Sequence, residues 1–156
     1  MRKFYLTLGY SGLSPKAPGT VGTFVSLILG MFLLQYISIT TLFLIALLIS
    51  VFSVKQINIY EKEVGTHDGS EIVIDELAGM WIALGFAGVT ADNYIMAAIA
   101  FVYFRIFDIW KPSLIGKIDR DVKGGWGVMG DDMLAGFFAG ISTSMTYFLL
   151  LKYGIL

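Results

Sequence analysis

The sequence predicts an all-α fold, a polytopic membrane bundle of about four to five short helices. Hydrophobic residues make up 56% of the 156-residue chain and charged residues only 15%, and the mean hydropathy is +0.76. Soluble domains carry about 25% charged residues, so this chain has too little polar surface to cover itself in water. Its length predicts one domain, over residues 1–156.

Two function classes are disfavoured by composition. The formal net charge is −1, which argues against nucleic acid as a partner. The chain has no cysteine, which excludes disulfides, thiolate metal sites and cysteine nucleophiles.

The first two helices are predicted inside a long uncharged segment. No charged residue occurs from Ala17 to Val54. A bilayer core of about 30 Å needs about 20 helical residues, so this segment is too long for one span and fits two short ones. The β-branched and hydroxylated residues of 35–41 are poor helix formers and indicate the break. We therefore predict helices over 20–36 and 40–55.

Two further apolar regions predict three more helices. Between residues 77 and 104 the only charge is Asp92, which together with Gly88 indicates a turn. The apolar run 133–151 is about one membrane thickness long. Several of these helices are short for a full span, which tilting, local thinning of the bilayer or a re-entrant hairpin would accommodate. The predicted helices cover 76–90, 93–108 and 132–151.

The charged residues predict the orientation in the membrane. Every acidic residue except Asp92 lies in one of two polar segments, 61–76 and 108–132. Two helices separate each polar segment from the next, so the N-terminal segment and both loops should emerge on the same face. The excess of lysine and arginine in these segments predicts that this face is cytoplasmic.

A rigid turn precedes the first long helix. Two prolines and two glycines surround Lys16, and Thr20 or Thr23 could cap the helix that follows. A helix N-terminus favours anions, and Lys16 would add a charge for phosphate. An equally open interpretation is a capped turn at the membrane surface with a lysine extending toward water.

Two pairs of acidic residues precede apolar helices that contain glycine. Asp75 and Glu76 start the segment DELAG, and Asp131 and Asp132 start the segment DDMLAG. The helix dipole accounts for one acid at such a position but not for a pair together with Glu71. Carboxylates without thiols or several histidines suit a hard cation, Mg²⁺ first. Two such pairs facing each other would form a compact Mg²⁺ site at the membrane surface.

Three other features have weaker or divided interpretations. Residues 125–130 match G-x-G-x-x-G, but no strand precedes them, so we interpret these glycines as a flexible loop that delivers the second acidic pair to a helix start. The single His67 is more often an ordinary loop residue than a ligand. Arg105 and Asp108 lie on one face of a helix that should end at Pro112. They form either an ion pair at the membrane surface or part of a phosphate site.

Taken together, these motifs resemble the phosphatidylglycerophosphatase A family of bacterial lipid phosphatases. Four blocks in order carry the resemblance: GLSPKAPGTVG at 12–22, HD, IVIDE and GMW within 67–81, FRIFDIWKP at 104–112, and DR with GGWGVMGDD within 119–132. The resemblance implies a helical, Mg²⁺-dependent enzyme of the bacterial inner membrane. It also implies hydrolysis of phosphatidylglycerophosphate to phosphatidylglycerol and phosphate in phospholipid biosynthesis, with the phospholipid substrate as the partner.

The resemblance also assigns residues to roles. The acidic motifs of the family fall on Asp75, Glu76, Asp131 and Asp132, and its basic residues fall on Lys16, Arg105, Lys111 and Arg120. As a hypothesis, the four acids hold Mg²⁺, and Asp75, Asp131 and Asp132 are catalytic together with Asp108. The substrate phosphate would be bound by Lys16, Thr20, Arg105, Lys111 and Arg120.

Several mechanistic alternatives stay open at this stage. The metal would activate water for in-line attack, or an aspartyl-phosphate would form, and Asp108 or Asp119 would orient a base or a cation. A small divalent-cation transporter with acidic sites at helix ends is the alternative function, and it predicts acids near the bilayer midplane. A CDP-alcohol phosphotransferase is disfavoured because its acidic motif is missing, and a scaffold would need no clustered acids.

Overall fold

Seven α-helices and one short 3₁₀ helix, Ser11–Leu13, make up the computed structural model, which describes residues 1–65 and 69–155. The predicted all-α fold is confirmed. The helices are α1 (Arg2–Leu6), α2 (Pro18–Leu33), α3 (Ile39–Val64), α4 (Ile74–Ala87), α5 (Tyr94–Trp110), α6 (Leu114–Asp121) and α7 (Gly125–Lys152).

The five predicted helices correspond to α2, α3, α4, α5 and α7. The expected count of four to five is lower than the seven in the described residues because the short helices α1 and α6 were not predicted. Helix α3 also continues past the predicted end into the charged residues up to Val64. Hydropathy marks where a helix becomes polar, whereas the backbone stays helical until Gly65 ends it in the left-handed conformation.

The glycine-rich segment is helical, so the prediction of a flexible loop there was wrong. Helix α7 begins at Gly125, and the acidic pair lies in its second turn. A Cβ on Gly125 would lie 2.4 Å from the carbonyl oxygen of Val54 in α3. The N–H of Gly125 donates to Asn58 Oδ1 at 2.7 Å. The glycine therefore serves close helix packing rather than flexibility.

The predicted turns are present, but one predicted cap is not. Ser38 Oγ accepts the Thr41 N–H at the start of α3, and Gly88 ends α4 with φ of 72°. Neither threonine caps α2, because the N-cap position is Ala17 and Pro18 occupies the first helical position. Proline suits that position, since its missing N–H would have no partner in the helix. Thr23 instead donates to the Gly19 carbonyl oxygen at 2.8 Å.

Helix α4 forms the centre of the bundle. Almost all of its residues are buried, and it packs against α2, α3, α5 and α7. The contact with α7 is close, since a Cβ on Gly136 would lie 2.2 Å from the carbonyl oxygen of Gly79. Small residues at such crossings allow helix backbones to approach each other.

The outer helices expose apolar side chains, as expected of a membrane protein. Helices α3 and α7 are long and apolar enough to cross a bilayer. Only 33% and 28% of their most apolar stretches are buried, whereas a core helix of a soluble protein would be mostly buried. Leu48 and Phe148, for example, are 70% and 63% exposed. We conclude that the chain is a membrane protein.

Candidate active site

A polar cavity of about 240 Å³ lies where the starts of α2, α4 and α7 meet the end of α5. All three polar segments of the sequence contribute to it. Its lining contains five carboxylates and one ammonium group: Asp75, Glu76, Asp108, Asp131, Asp132 and Lys111. The remaining lining residues are Pro18, Gly19, Gly69, Ser70, Ile72 and Val128.

Three of the carboxylates form a tight cluster. One oxygen from each of Asp75, Glu76 and Asp132 lies within 4.8 Å of the others. These residues are only 8%, 8% and 3% exposed. Glu76 Oε2 and Asp132 Oδ2 are buried and have no hydrogen-bond partner among the described residues. A buried carboxylate oxygen without a partner is costly, so this cluster has unused capacity to bind a cation.

The crossing of α4 and α7 explains how the acids meet. Asp75 lies four residues before Gly79, and Asp132 lies four residues before Gly136. The two glycines are in backbone contact, and both helices run away from the cavity. Residues four apart share a helix face, so each acid lies about one turn from the crossing, on the side of the partner helix.

Burial raises the pKa values of both α4 acids. Both belong to the first turn of α4, which is not one of the two candidate spans. The pKa of Asp75 is well above its usual value because of burial first and the nearby Glu76 second. Burial also raises the pKa of Glu76, to about 8. The ionised acids are therefore destabilised unless a cation joins them.

The donor set fits a hard divalent cation. Its atoms are carboxylate oxygens, the ligands that Mg²⁺ prefers, and several are unpartnered and buried. Lys111 is the only cation that lines the cavity in the described part of the chain. When all five carboxylates are ionised they outnumber Lys111 and the adjoining Arg105 by three charges, which a divalent cation would largely offset.

Asp131 has a different environment from its neighbour Asp132. Its Oδ2 accepts from Lys111 Nζ at 2.6 Å, while Asp119 Oδ1 accepts from the same ammonium group at 2.5 Å. Burial by itself would lower the pKa of Lys111, but its bonds to Asp119 and Asp131 outweigh burial and raise it. Lys111 is therefore charged at neutral pH and is held at the cavity by two acids.

The backbone around Lys111 is strained. This residue ends α5 with φ of 42° and ψ of 55°, a left-handed conformation that is rare outside glycine. It also precedes Pro112, which disfavours helical conformations in the residue before it. Such strain is commonly found at functional sites.

Arg105 lies beside the cavity, between α5 and the start of α2. Its guanidinium group donates to Asp108 Oδ2 and to Thr23 Oγ1, the latter at 3.2 Å. A Cβ on Gly19 would lie 2.5 Å from Glu76 Oε1 and 3.5 Å from two Arg105 nitrogens. The absence of a side chain at Gly19 thus lets the N-terminus of α2 adjoin both the acid cluster and the arginine.

The other residues assigned to phosphate lie outside the cavity lining in the described structure. Lys16 and Arg120 are exposed, the first before α2 and the second on α6. Thr20 lines an apolar groove that it shares with Arg105. Glu71 accepts from the Tyr60 hydroxyl at 3.1 Å and is not a lining residue. His67 lies outside the described residues.

Sequence reasoning did not single out Gly19, Gly69, Ser70 or Val128 as lining residues. The available signal for Gly19 was its place next to the proline that starts a helix. Gly69 and Ser70 lie in the loop before α4. A loop has no hydrophobic periodicity, so its sequence does not predict which residues face the cavity.

Comparisons with known proteins agree on one family. The family model described as phosphatidylglycerophosphatase A matches residues 4–147. The chain is 37% identical over 145 residues to phosphatidylglycerophosphatase A of Escherichia coli strain K12, covering 92% of this chain and 81% of the relative. It is 35% identical over 135 residues to the Haemophilus influenzae protein of the same name, covering 86% and 82%.

A third relative carries a different substrate in its name. A Bacteroides thetaiotaomicron protein, provisionally named a phosphatidylinositol-3-phosphatase, is 39% identical over 133 residues, covering 83% of this chain and 82% of the relative. No solved structure matches the chain.

Proposed function

The chain belongs to the phosphatidylglycerophosphatase A family, and we propose that it hydrolyses phosphatidylglycerophosphate to phosphatidylglycerol and phosphate with the help of Mg²⁺. It is an enzyme, a phosphoric monoester hydrolase, as its named relatives are. The observation that carries the proposal is the cluster of three buried carboxylates, which shares one cavity with Lys111 and adjoins Arg105.

In this proposal Asp75, Glu76 and Asp132 hold the Mg²⁺. The support is their mutual distance, their burial and their unpartnered oxygens. When bound, Mg²⁺ supplies positive charge against the charge that develops on the phosphoryl oxygens. Asp131 contributes by holding Lys111, which favours a role for it next to the metal ligands rather than among them.

The basic groups would bind the phosphate of the substrate. A phosphomonoester dianion entering a cavity with five carboxylates requires cationic partners. Lys111 lines the cavity, and Arg105 with the N-terminus of α2 adjoins it. Arg105 is placed by Asp108, and Lys111 by Asp119 and Asp131. Lys16 and Arg120 would contact a headgroup only outside the cavity. The chemistry of the chain leaves both water attack and an aspartyl-phosphate open.

We further propose that the chain crosses the bacterial inner membrane several times with the cavity on the cytoplasmic side. The support is the convergence of the three polar segments at one cavity, together with their lysine and arginine content. Helix α2 has 16 residues and α4 has 14, so both are short for a full span.

Two other functions are less well supported. A divalent-cation transporter would use the same carboxylates, but the family match and the phosphatase names of the relatives favour hydrolysis. The name of the third relative favours testing a phosphoinositide as a second substrate, because it too carries a phosphomonoester on a lipid headgroup.

The test is phosphate release by the purified protein in detergent micelles. We expect release from phosphatidylglycerophosphate with Mg²⁺, loss of release with a chelator, and recovery when Mg²⁺ is added back. Phosphatidylinositol 3-phosphate at the same surface concentration serves as the competing substrate. Absence of release from phosphatidylglycerophosphate would contradict the proposed substrate, and unchanged release with the chelator would contradict the proposed metal.

A further inference from the structure

An apolar groove lies on the outside of the bundle along α5 and reaches the start of α2, next to the acidic cavity. The part nearest the cavity has a volume of about 590 Å³ and is lined by α5 side chains with Thr20 of α2. A second part of about 510 Å³ continues toward the start of α5. Val102 and Ile106 line both parts, so the two form one continuous groove.

The groove follows a single stripe of α5. Ile95, Val102, Ile106 and Ile109 recur at helical spacing and are 52%, 53%, 42% and 69% exposed. From Ile95 to Ile109 a helix rises about 21 Å at about 1.5 Å per residue. Half of a bilayer core is about 15 Å. The groove is thus long enough to accompany a fatty acyl chain through one leaflet.

Arg105 joins this groove to the acidic cavity. Its side chain lines the groove and also donates to Asp108, which lines the cavity. The side chain is mostly buried, with 13% exposed, and its Nε has no hydrogen-bond partner among the described residues. The apolar groove therefore ends at a cation with a free N–H donor, beside a cavity suited to phosphate. This arrangement is complementary to a lipid that has apolar acyl chains and an anionic headgroup.

We propose that this groove holds an acyl chain of the lipid phosphomonoester whose headgroup occupies the acidic cavity. The inference rests on the proposed function and adds the route by which the substrate is held. The lipid lies along α5 in the bilayer, and its headgroup passes Arg105 to reach the carboxylates. Val102 and Ile106 then determine affinity for the acylated substrate, although they are not near the reacting phosphate.

The first experiment fills the groove and compares two substrates. In Val102→Trp we expect the KM for dioleoyl phosphatidylglycerophosphate to rise at least ~10-fold, the scale of discrimination by apolar pockets. The kcat/KM for the deacylated, water-soluble headgroup should stay at the wild-type level. Val51→Trp is the matched control, since Val51 is 63% exposed on α3, away from the groove. Equal behaviour of both variants, or equal loss on both substrates in Val102→Trp, would overturn the proposal.

The second experiment reads lipid binding without turnover. A diacyl lipid phosphomonoester and a phosphatidylcholine, each with a diazirine on one acyl chain, are photo-crosslinked to the wild-type protein and mapped by mass spectrometry. We expect the phosphomonoester to label the 95–109 stripe and α2 preferentially, and the phosphatidylcholine to label α3 and α7 as well. Identical label distributions would overturn the proposal. This result stands even if no substrate releases phosphate, which would count against the proposed function alone.

Discussion

The first turn of α4 and the second turn of α7 have similar sequences, but their acidic side chains have different partners. In α4 both acids lie at the helix start and face the cluster, and the Glu76 N–H donates to Asp75 Oδ1 at 3.0 Å. In α7 only Asp132 joins the cluster, whereas Asp131 holds Lys111. Each of these two adjacent carboxylates thus has its own cation: Asp132 the metal ion of our proposal, and Asp131 the ammonium group of Lys111.

This difference teaches that a repeated motif fixes a backbone contact more strictly than it fixes ligand roles. The shared feature is an acid four residues before a glycine, and the glycines make the crossing that brings the acids together. The other acid of each pair starts from a different direction on its helix, because neighbouring residues differ by about 100° around the axis. In α4 that acid, Glu76, still reaches the cluster, whereas in α7 Asp131 reaches Lys111. The role of this other acid then depends on which helix lies beside it.

The largest effect is expected from replacing Asp132, the one acid that α7 contributes to the three-carboxylate cluster. Asp132→Asn should lower phosphate release by about 1000-fold, the scale seen when one preorganised electrostatic group is lost. The near-isosteric amide keeps the helix packed, so circular dichroism and detergent gel filtration should match the wild type. Near-normal phosphate release from the folded variant would remove Asp132 from the site.

The next effect is expected at the helix crossing. Gly136→Ala places a Cβ that would lie 2.2 Å from the Gly79 carbonyl oxygen, so the helices must separate. A displacement of about 1 Å can cost about 100-fold in rate, so we expect activity to fall on that scale. The free energy of unfolding should fall by about 1–3 kcal/mol, the usual cost of overpacking.

Gly130→Ala is the matched control for this substitution. Gly130 lies in the same helix, but a Cβ there would meet no backbone atom of another helix within 4 Å, only one methyl carbon of Ile118 in the short helix α6, at 3.2 Å. Thermal unfolding and phosphate release of this variant should match the wild type. Equal losses in the two variants would show that the crossing has no special role.

Much of this comparison could be predicted from the sequence. The two acidic pairs before glycine-bearing helices, their convergence at one end and the break between α2 and α3 all follow from pattern and charge. The role of Asp131 could not be predicted, because its partner Lys111 is placed by the end of α5 and by Asp119 of α6. Helix α6 was not predicted, since it has eight residues, half of them charged, and no long apolar run.

The start of α7 shows a second limit of sequence reasoning. Glycines at 125, 127 and 130 weaken helix propensity, so local sequence favours a loop. The backbone of α3 and the Asn58 amide group decide otherwise by packing against Gly125 and accepting its N–H. Such tertiary contacts are invisible to propensity. Likewise, the family resemblance assigns Lys16 and Thr20 to phosphate, but a motif does not fix the direction of a side chain, and neither residue lines the acidic cavity.

A smaller effect is expected from Asp131, the acid of α7 that lies outside the three-carboxylate cluster. Asp131→Asn removes the negative charge of one of the two acceptors of Lys111 but leaves the three-carboxylate cluster intact. Phosphate release should fall about tenfold, as for groups that orient ligands. The Mg²⁺ concentration for half-maximal activity should stay near that of the wild type, which kinetic titration measures. A loss as large as that of Asp132→Asn would erase the distinction between the two acids.

The smallest effect concerns pH and the α4 acids. In the folded, metal-free protein the pKa values of Asp75 and Glu76 are raised, for Glu76 to about 8. Below that pH the folded protein therefore binds more protons than the unfolded chain. Its stability should therefore fall as pH rises from 5 to 8. Mg²⁺ displaces these protons, so its stabilisation, of a few degrees in thermal unfolding, should be greater at pH 8 than at pH 6. A larger shift at pH 6 would contradict this linkage, and Glu76→Gln should reduce its pH dependence.

The most direct test of the central claim is a Mn²⁺ titration of the purified protein, with free Mn²⁺ followed by electron paramagnetic resonance. If Asp75, Glu76 and Asp132 hold one cation between α4 and α7, the wild type binds Mn²⁺ at a site for which Mg²⁺ competes. Asp132→Asn and Glu76→Gln should then weaken binding by about 100-fold or more, and Asp131→Asn by about tenfold or less. Wild-type affinity in Asp132→Asn, or equal losses in Asp131→Asn and Asp132→Asn, would contradict the account.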